Sequence, residues 1–475
     1  MKLRYIYSLA GLLTFGGIFF SSCADDLEIG KKFDESALDG IYENRAYLCD
    51  AATNKPEQVV ELYTSPDYTA SVKVNLTKGY TAQTSMKIVV DEAYLDVYNQ
   101  QHGTEFALLP KELVTLDNDG QLVASAPGTV PSLDVKLSIG DGLEAGKTYV
   151  LPLAVTENSS DVVIKNEVDK HCIYLVKDMR KFGDAFKGED KLKGFLFFEV
   201  NDVNPLNALS FQLENGKYLW DVVVLFAANI NYDAEAGRPY IKCNPNVQYL
   251  LDNNETLLQP LRKRGIKVLL GLLGNHDVAG LAQLSEQGAK DFAREVAQYC
   301  KAYNLDGVNY DDEYSNSPDL NNPSFDRRSG VAAARLCHAT KLAMPDKLVT
   351  VFQYGSFYDL PDAINGVDAD QWIDVIVPNY GGAAYTVGKT MTKKKCAGVA
   401  IEFNLGIGSF GDYTGDQLTR QGYGWFMGFA PSPANYYSVF NNLSGVGKLY
   451  GSELKMPTIF YKKNDPNPSK FPDDL

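Results

Sequence analysis

The sequence predicts a multidomain chain, an N-terminal all-β sandwich followed by a parallel (β/α)8 barrel of TIM type with some short or missing helices. Three observations carry this. Residues 45–180 hold short alternating strands separated by turn residues. From Gly194 the rhythm changes to strand, loop, helix, and the strands become near-continuous apolar runs, as in sheets buried on both faces. Polar and aromatic residues then gather at the C-terminal ends of those runs, where a parallel barrel builds its site.

The chain has 475 residues, enough for two domains with separate cores. Its net charge of −15 argues against a nucleic-acid partner and favours a neutral or cationic one. Aromatic residues make up 12 %, and the rings near predicted strand ends suit the apolar C–H faces of a pyranose. Four histidines argue against a zinc site or a Ser-His-Asp triad, and the cysteines show no metal-binding spacing, so no metal or cofactor is expected. Cys300 falls on a helical apolar stripe with Ala289, Phe292, Ala293 and Val296, the pattern of a buried thiol.

Residues 1–22 read as a signal peptide, with Lys2 and Arg4 before an apolar Tyr5–Phe20 stretch. Ser21-Ser22-Cys23 resembles a bacterial lipobox, and Asp25-Asp26 resembles the surface-export signal of Bacteroidetes lipoproteins. Cys23 is then the expected lipidation site, with residues 23–44 a tether and the cell outer membrane, on its exposed surface, the expected location. The sandwich strands are expected at Ala46–Cys49, Val59–Tyr63, Thr69–Leu76, Ser85–Val90, Asp134–Ser138, Thr148–Val155 and Cys172–Val176, with a helix at Glu92–Gln101. The stretch from Gly142 to Leu153 resembles a domain found in such lipoproteins ahead of glycan-handling modules, and a spacer role is expected.

The barrel is expected over residues 190–462, followed by a tail over 463–475. Its strands are Gly194–Val200, Asp221–Asn229, Ile266–Leu273, Leu305–Glu313, Leu348–Tyr354, Ile373–Tyr380, Gly398–Asn404 and Tyr423–Ala430. Helices are expected at Asn246–Arg264, Leu284–Tyr303 and Gly330–Met344, and the later gaps are too short for more. A doubly wound sheet would need a Gly-rich phosphate loop after its first strand, and Glu199-Val-Asn-Asp is not one.

The fourth strand is the most telling. Alternation puts Asn309, Asp311 and Glu313 on one face, with Asp312 on the other as a structural hydrogen-bonder. Carboxylates two residues apart lie roughly 6–7 Å apart at Cα, and each raises the other's affinity for a proton. Neighbours on one strand do not flank a sugar ring, as a conventional pair does. They suit substrate-assisted cleavage, in which the 2-acetamido oxygen of an N-acetylglucosamine attacks its own anomeric carbon. Glu313 is then the acid and base, Asp311 orients the acetamido N–H, and the Tyr380 hydroxyl meets the acetamide oxygen. Candidate substrate-binding residues at the other strand ends are Glu199, Asn229, Asn231, Asn275, His276, Gln353 and Asn379. Tyr232, Phe357, Tyr358, Tyr385, Trp425 and Phe426 are candidate subsite rings.

Asp306-Gly-Val-Asn-Tyr-Asp-Asp-Glu313 resembles the DGxDxDxE signature of glycoside hydrolase family 18. Phe226–Asp233, Gly265–Leu270, Leu273–His276, Met344–Lys347 and Gly422–Gly424 make the match closest to its H- and F-type endoglycosidase branch. The resemblance spans about Gly194 to Glu453. It implies cleavage of the β-1,4 bond in the di-N-acetylchitobiose core of N-linked glycans, high-mannose glycans foremost. The alternatives are a chitinase-like hydrolase and a surface protein that binds glycans without cutting them. Asn309 departs from the signature, which has Asp there.

Overall fold

The computed structural model describes residues 45–62, 67–77, 79–80, 82–124, 130–138, 140, 142–158, 163–180 and 183–475. The expected signal peptide, tether and Cys23 lie outside the described residues. Among the described residues no helix is long and apolar enough to cross a membrane.

The N-terminal domain contains β1 (Ala46–Asp50), β2 (Glu57–Leu62), β3 (Asp67–Leu76), β4 (Thr84–Val90), β5 (Ala107–Leu108), β6 (Val114–Leu116), β7 (Gln121–Ala124), β8 (Ser132–Ser138), β9 (Thr148–Asn158) and β10 (His171–Asp178). They form two sheets, β1-β3-β8-β6 and β2-β10-β9-β4-β7, with β5 attached to β9. The period-2 pattern decides which side chains go inside. Leu133, Val135 and Leu137 of β8 are buried while their neighbours face water. They meet Val72, Val74, Ile88, Leu151 and Leu153 between the sheets. By contrast β10 is buried along its whole length. The helix Tyr94–His102 covers its second face, setting Tyr94 and Tyr98 against Ile173 and Leu175. The short strands β5, β6 and β7 were not expected from the sequence; two to four residues leave too little periodicity to read.

The barrel domain contains β11 (Lys193–Glu199), β12 (Val222–Asp233), β13 (Arg238–Lys242), β14 (Lys267–Leu273), β15 (Gly307–Asp311), β16 (Leu348–Gln353), β17 (Ala363–Ile364), β18 (Val367–Asp368), β19 (Val375–Pro378), β20 (Ala397–Glu402) and β21 (Trp425–Phe429). Its parallel strands run in the order β19-β16-β15-β14-β12-β11-β21-β20. A parallel bridge between Ile376 and Cys396 brings the two ends of that order together. Alternate residues fill the two sides. Phe195, Phe197, Val222, Val224, Leu269, Val375, Val377 and Met427 pack inside. Leu196, Phe198, Val223, Leu270, Val308, Tyr310, Val349 and Ile401 pack outward on the surrounding helices. Each such buried side chain contributes about 1.5–3 kcal/mol.

Two helices follow expectation, Glu286–Ala302 and Gly330–Ala343, capped by the Ser285 and Ser329 hydroxyls. The helix expected over Asn246–Arg264 is instead three pieces, Pro245–Asp252, Asn254–Leu257 and Gln259–Arg262. Asn253 closes the first through its side-chain bond to the Tyr249 carbonyl (2.8 Å). Pro260 has no N–H to extend a helix that reaches it. The antiparallel hairpin strand β13 was also unforeseen. Residues 463–475, expected as a tail, pack onto the barrel. β22 (Ile459–Tyr461) pairs with β23 (Pro468–Lys470), and Phe471 is buried against Tyr436.

The sandwich docks on the barrel floor, at the N-terminal ends of the strands. Glu61 pairs with Lys267 at the start of β14 (2.7 Å). Thr148 donates to Asp346, just before β16 (3.0 Å), and Lys177 donates to the Asp346 carbonyl (2.7 Å). Lys55 pairs with Asp370 (3.0 Å).

Candidate active site

The barrel's mouth is at the end opposite the sandwich. The alternation that places Phe195 and Phe197 inside carries Glu199 to the last interior position of β11. The same phase puts Asn309 and Asp311 inside on β15, and Ala400 and Glu402 inside on β20. Three carboxylates from distant strands therefore converge. Glu313 was expected to follow by alternation, but β15 stops at Asp311. The Glu313 N–H bonds back to the Asp311 carbonyl (3.1 Å), so Glu313 leaves on a turn rather than on the strand. Tyr314 completes that turn with φ +58° and accepts the His276 N–H at 2.6 Å.

Electrostatics separates this cluster from ordinary surface acids. Asp311 is 4 % exposed, and its Oδ1 has no hydrogen-bond partner. Burial raises its pKa well above the usual carboxylate range, and the negative Glu313 and Asp312 add to that. Glu313 is raised by burial, with a smaller push from Asp312, against a lowering hydrogen bond from Tyr314. Burial also raises Glu199, helped by Asp202 and Glu402. Tyr380 is made less acidic by burial and then by Asp311, Glu402, Glu313 and Glu199, which all act on its hydroxyl. No cation pairs with Glu199, Asp311, Glu313 or Glu402 among the described residues.

The rings below these groups form a continuous apolar surface. Tyr380 packs on Phe352 (6.2 Å between centroids) and Phe429 (5.2 Å), and Phe429 packs on Phe226 (5.6 Å). Tyr314, Tyr358, Tyr385 and Leu405 stand exposed. Trp425 and Phe426, expected as subsite rings, lie elsewhere. Trp425 opens β21 at the floor beneath the Lys193 ammonium, and Phe426 is buried outside the barrel against Trp220. Phe357 is fully buried, and Tyr232 packs on Phe325.

Several expected substrate-binding amides already have protein partners. Asn229 donates to the Gly274 carbonyl (3.0 Å), Asn275 to Asn231 (2.8 Å), and Asn231 to Asp277 (3.1 Å). Gln353 clamps the Tyr385 peptide, accepting its N–H (2.8 Å) and donating to its carbonyl (3.2 Å). Asn379 accepts the Tyr380 N–H (2.7 Å), and His276 is exposed, its carbonyl accepting from Asn316. These residues shape the loops, whereas Glu199, Asp311, Glu313 and Tyr380 converge in the mouth. Asp312 faces away as expected, accepting the Ser356 N–H (3.2 Å). Glu402 was not singled out from the sequence, although its place after Ala400 in the interior phase was readable. Its carboxylate accepts the Leu405 N–H, fixing the 402–407 turn.

A parallel barrel whose mouth gathers carboxylates without a cation partner over an aromatic surface has the features of a glycoside hydrolase. Comparison with known proteins agrees and is more specific. The chain is 44 % identical to endo-β-N-acetylglucosaminidase F1 of Elizabethkingia meningoseptica over 58 % of its own length and 82 % of that protein's. It is 32 % identical to an endo-β-N-acetylglucosaminidase of Flavobacterium sp. (strain SK1022), over 49 % of this chain and 72 % of the relative. The chain therefore belongs to the endo-β-N-acetylglucosaminidase family. The crystal structure of Bacteroides thetaiotamicron EndoBT-3987 with Man5GlcNAc product superposes with a TM-score of 0.87 at 64 % identity, over 90 % of this chain and all of that one. The same enzyme with Man9GlcNAc2Asn substrate superposes with a TM-score of 0.81. A family model described as an N-terminal domain matches residues 42–162.

Proposed function

We propose that this endo-β-N-acetylglucosaminidase cleaves the β-1,4 bond of the di-N-acetylchitobiose core of N-linked glycans, high-mannose glycans foremost, by substrate assistance. The carrying observation is Asp311 beside Glu313, with the Tyr380 hydroxyl in the field of both and no cation to hold either acid ionised. Glu313, protonated, gives its proton to the glycosidic oxygen as that bond breaks. The acetamido oxygen closes on the anomeric carbon, and Asp311 accepts the acetamido N–H and balances the positive oxazolinium. Tyr380 donates to the acetamide oxygen and fixes its approach. Glu313, now a carboxylate, takes a proton from the water that opens the ring. Glu199 and Glu402 offer acceptors to sugar hydroxyls, and the aromatic surface takes a pyranose face.

A glycan substrate is supported by the relative crystallised with Man9GlcNAc2Asn and with Man5GlcNAc. For the chain's location we propose a lipid anchor at Cys23 on the outer membrane, supported by the basic and apolar stretch before that cysteine. The sandwich would then stand between anchor and barrel, with the mouth on its far side. Incubation of the full chain with a high-mannose glycoprotein tests the function. The expected result is a faster-migrating protein and a free glycan. Binding without release would replace the enzyme reading by glycan capture, and release only from chitin oligomers would make it a chitinase.

A further inference from the structure

A cleft of about 1030 Å³ opens between the sandwich and the flank of the barrel, away from the mouth. One wall is built by the helices Glu286–Ala302 and Gly330–Ala343. Glu286, Lys290, Arg294, Ala297 and Lys301 recur at three- and four-residue spacing, as do Arg335, His338, Ala339 and Leu342, so each helix turns one face to the cleft. The facing wall is the sandwich, through residues 100–106 and 146–148. Lys301 meets Glu105 across the seam at one end (2.9 Å), and from there the cleft follows its helix for about 22 Å, to Glu286. A seam between domains is a usual place for a ligand, and this volume is ample for one.

Charge decides what such a cleft can hold. The chain carries −15 overall, yet this lining is cationic. Three acids line it, and each is met by lysine: Glu286 by Lys290 (2.8 Å), Glu105 by Lys301 (2.9 Å), and Asp346 by Lys177 and Lys347 (3.5 and 4.0 Å). Arg294, Arg335 and Lys147 are then in excess, two from the barrel and one from the sandwich. Their acids, Asp291, Asp326 and Glu144, stand outside the lining. Each of those pairs has a solvent-exposed member, and such pairs contribute little and yield to a better-placed anion. Between the charges, the Gln100, Gln101 and Gln298 amides and the half-buried His338 ring have no protein hydrogen-bond partner among the described residues. The cleft's apolar surface comes from Ala297, Ala339, Leu342 and Met344.

We propose that this cleft is a second carbohydrate site, for an acidic oligosaccharide whose sugars carry carboxylates. Arg294 and Lys147 reach those carboxylates from opposite walls, and the planar guanidinium takes both oxygens of one. The glutamine amides and the His338 ring serve the sugar hydroxyls, and the apolar surface takes the C–H faces. An extended acidic peptide fits less well. Among the described residues β9 alone of the strands reaches the cleft, at Thr148. The start of β9 is bonded to β10 on one side and β5 on the other, so no open sheet edge is offered. The mouth stays free, so a glycan held here and a glycan being cut are bound at the same time.

Isothermal titration of the full chain with tetragalacturonate, its methyl ester and tetraglutamate tests this. Tetragalacturonate should bind, and its methyl ester should bind about 10-fold or more weakly, since its carboxylates are masked. Arg294→Glu and Lys147→Glu should each weaken tetragalacturonate binding by about 10-fold or more, because the site has both walls. Both variants should cleave a high-mannose glycopeptide as the wild type does, with tetragalacturonate present or absent. Both side chains are well exposed (66 % and 44 %), so the fold should survive; circular dichroism checks it, and the ester comparison stands on the wild type alone. No binding, an ester that binds equally, or a loss confined to one variant overturns the proposal. Tetraglutamate bound as tightly makes the cleft a peptide site, and inhibition of cleavage by tetragalacturonate moves the binding to the mouth; either overturns it as well.

Discussion

Asp306 and Asp311 stand at the two ends of one strand and meet opposite fates. At the floor, burial alone would raise Asp306, but the bidentate Arg262 guanidinium (2.7 and 2.9 Å) holds it well below the usual carboxylate range. Asp374 is likewise held low against burial by Lys341 and Lys395, and Glu61 is brought down to about 2 by Lys267 and Lys177. At the mouth Asp311, Glu313 and Glu199 are buried or half-buried without a cation, and all are raised. Burial acts in the same direction at both ends, so the cation decides. Supplied, it makes an acid part of the scaffold; withheld, it leaves a proton for chemistry.

Substitutions that erase this contrast should have graded effects. The largest belongs to the mouth. Asp311→Asn removes the group that balances the oxazolinium and should lower kcat by about 10²–10⁴-fold, read on a glycopeptide substrate. The same variant should be more stable than wild type at neutral pH. A carboxylate raised in the folded state is ionised in the unfolded chain at pH 7, so it opposes folding there. The stability gain should fade as pH falls below the unfolded carboxylate range, which denaturant titrations at several pH values will show.

At the floor the signs reverse. Lys267→Met leaves Glu61 without its main partner. Each side chain keeps about a fifth of its surface exposed (21 % and 19 %), so the loss falls at the low end for a buried pair, about 3 kcal/mol by chemical denaturation. Turnover per folded molecule should be retained. Glu61 has a folded pKa near 2 against an ordinary 4.5. The pair's contribution is therefore complete above that ordinary value and lost as pH falls through about 2, and the wild-type advantage over Lys267→Met should follow that course. Smaller still is Asp312→Ala, which removes the Ser356 hydrogen bond at a cost of about 1 kcal/mol. Glu105→Gln, at an exposed pair with Lys301, should leave the melting temperature unchanged.

The barrel strands were legible because residues buried on both faces leave continuous apolar runs, and the interior phase followed from them. What stayed hidden depends on distance. Nothing local to Lys267 announces Glu61, which arrives from another domain, and nothing local to Gln353 shows that its amide is spent on the Tyr385 peptide. The acidic end of the fourth strand drew the site expectation, but its exit at Asp311 was set by the turn through Tyr314, which alternation cannot supply. Glu402 was in phase and polar at a strand end, yet it was not among the candidate site residues, since its neighbours carry no motif.

The most direct measurement is mass spectrometry of a high-mannose glycoprotein treated with wild type and with Glu313→Gln. The wild type should leave a single N-acetylglucosamine on each cleaved asparagine and release the rest of the glycan. Glu313→Gln should bind the glycoprotein and leave the glycan whole. Equal release by both proteins would contradict the account.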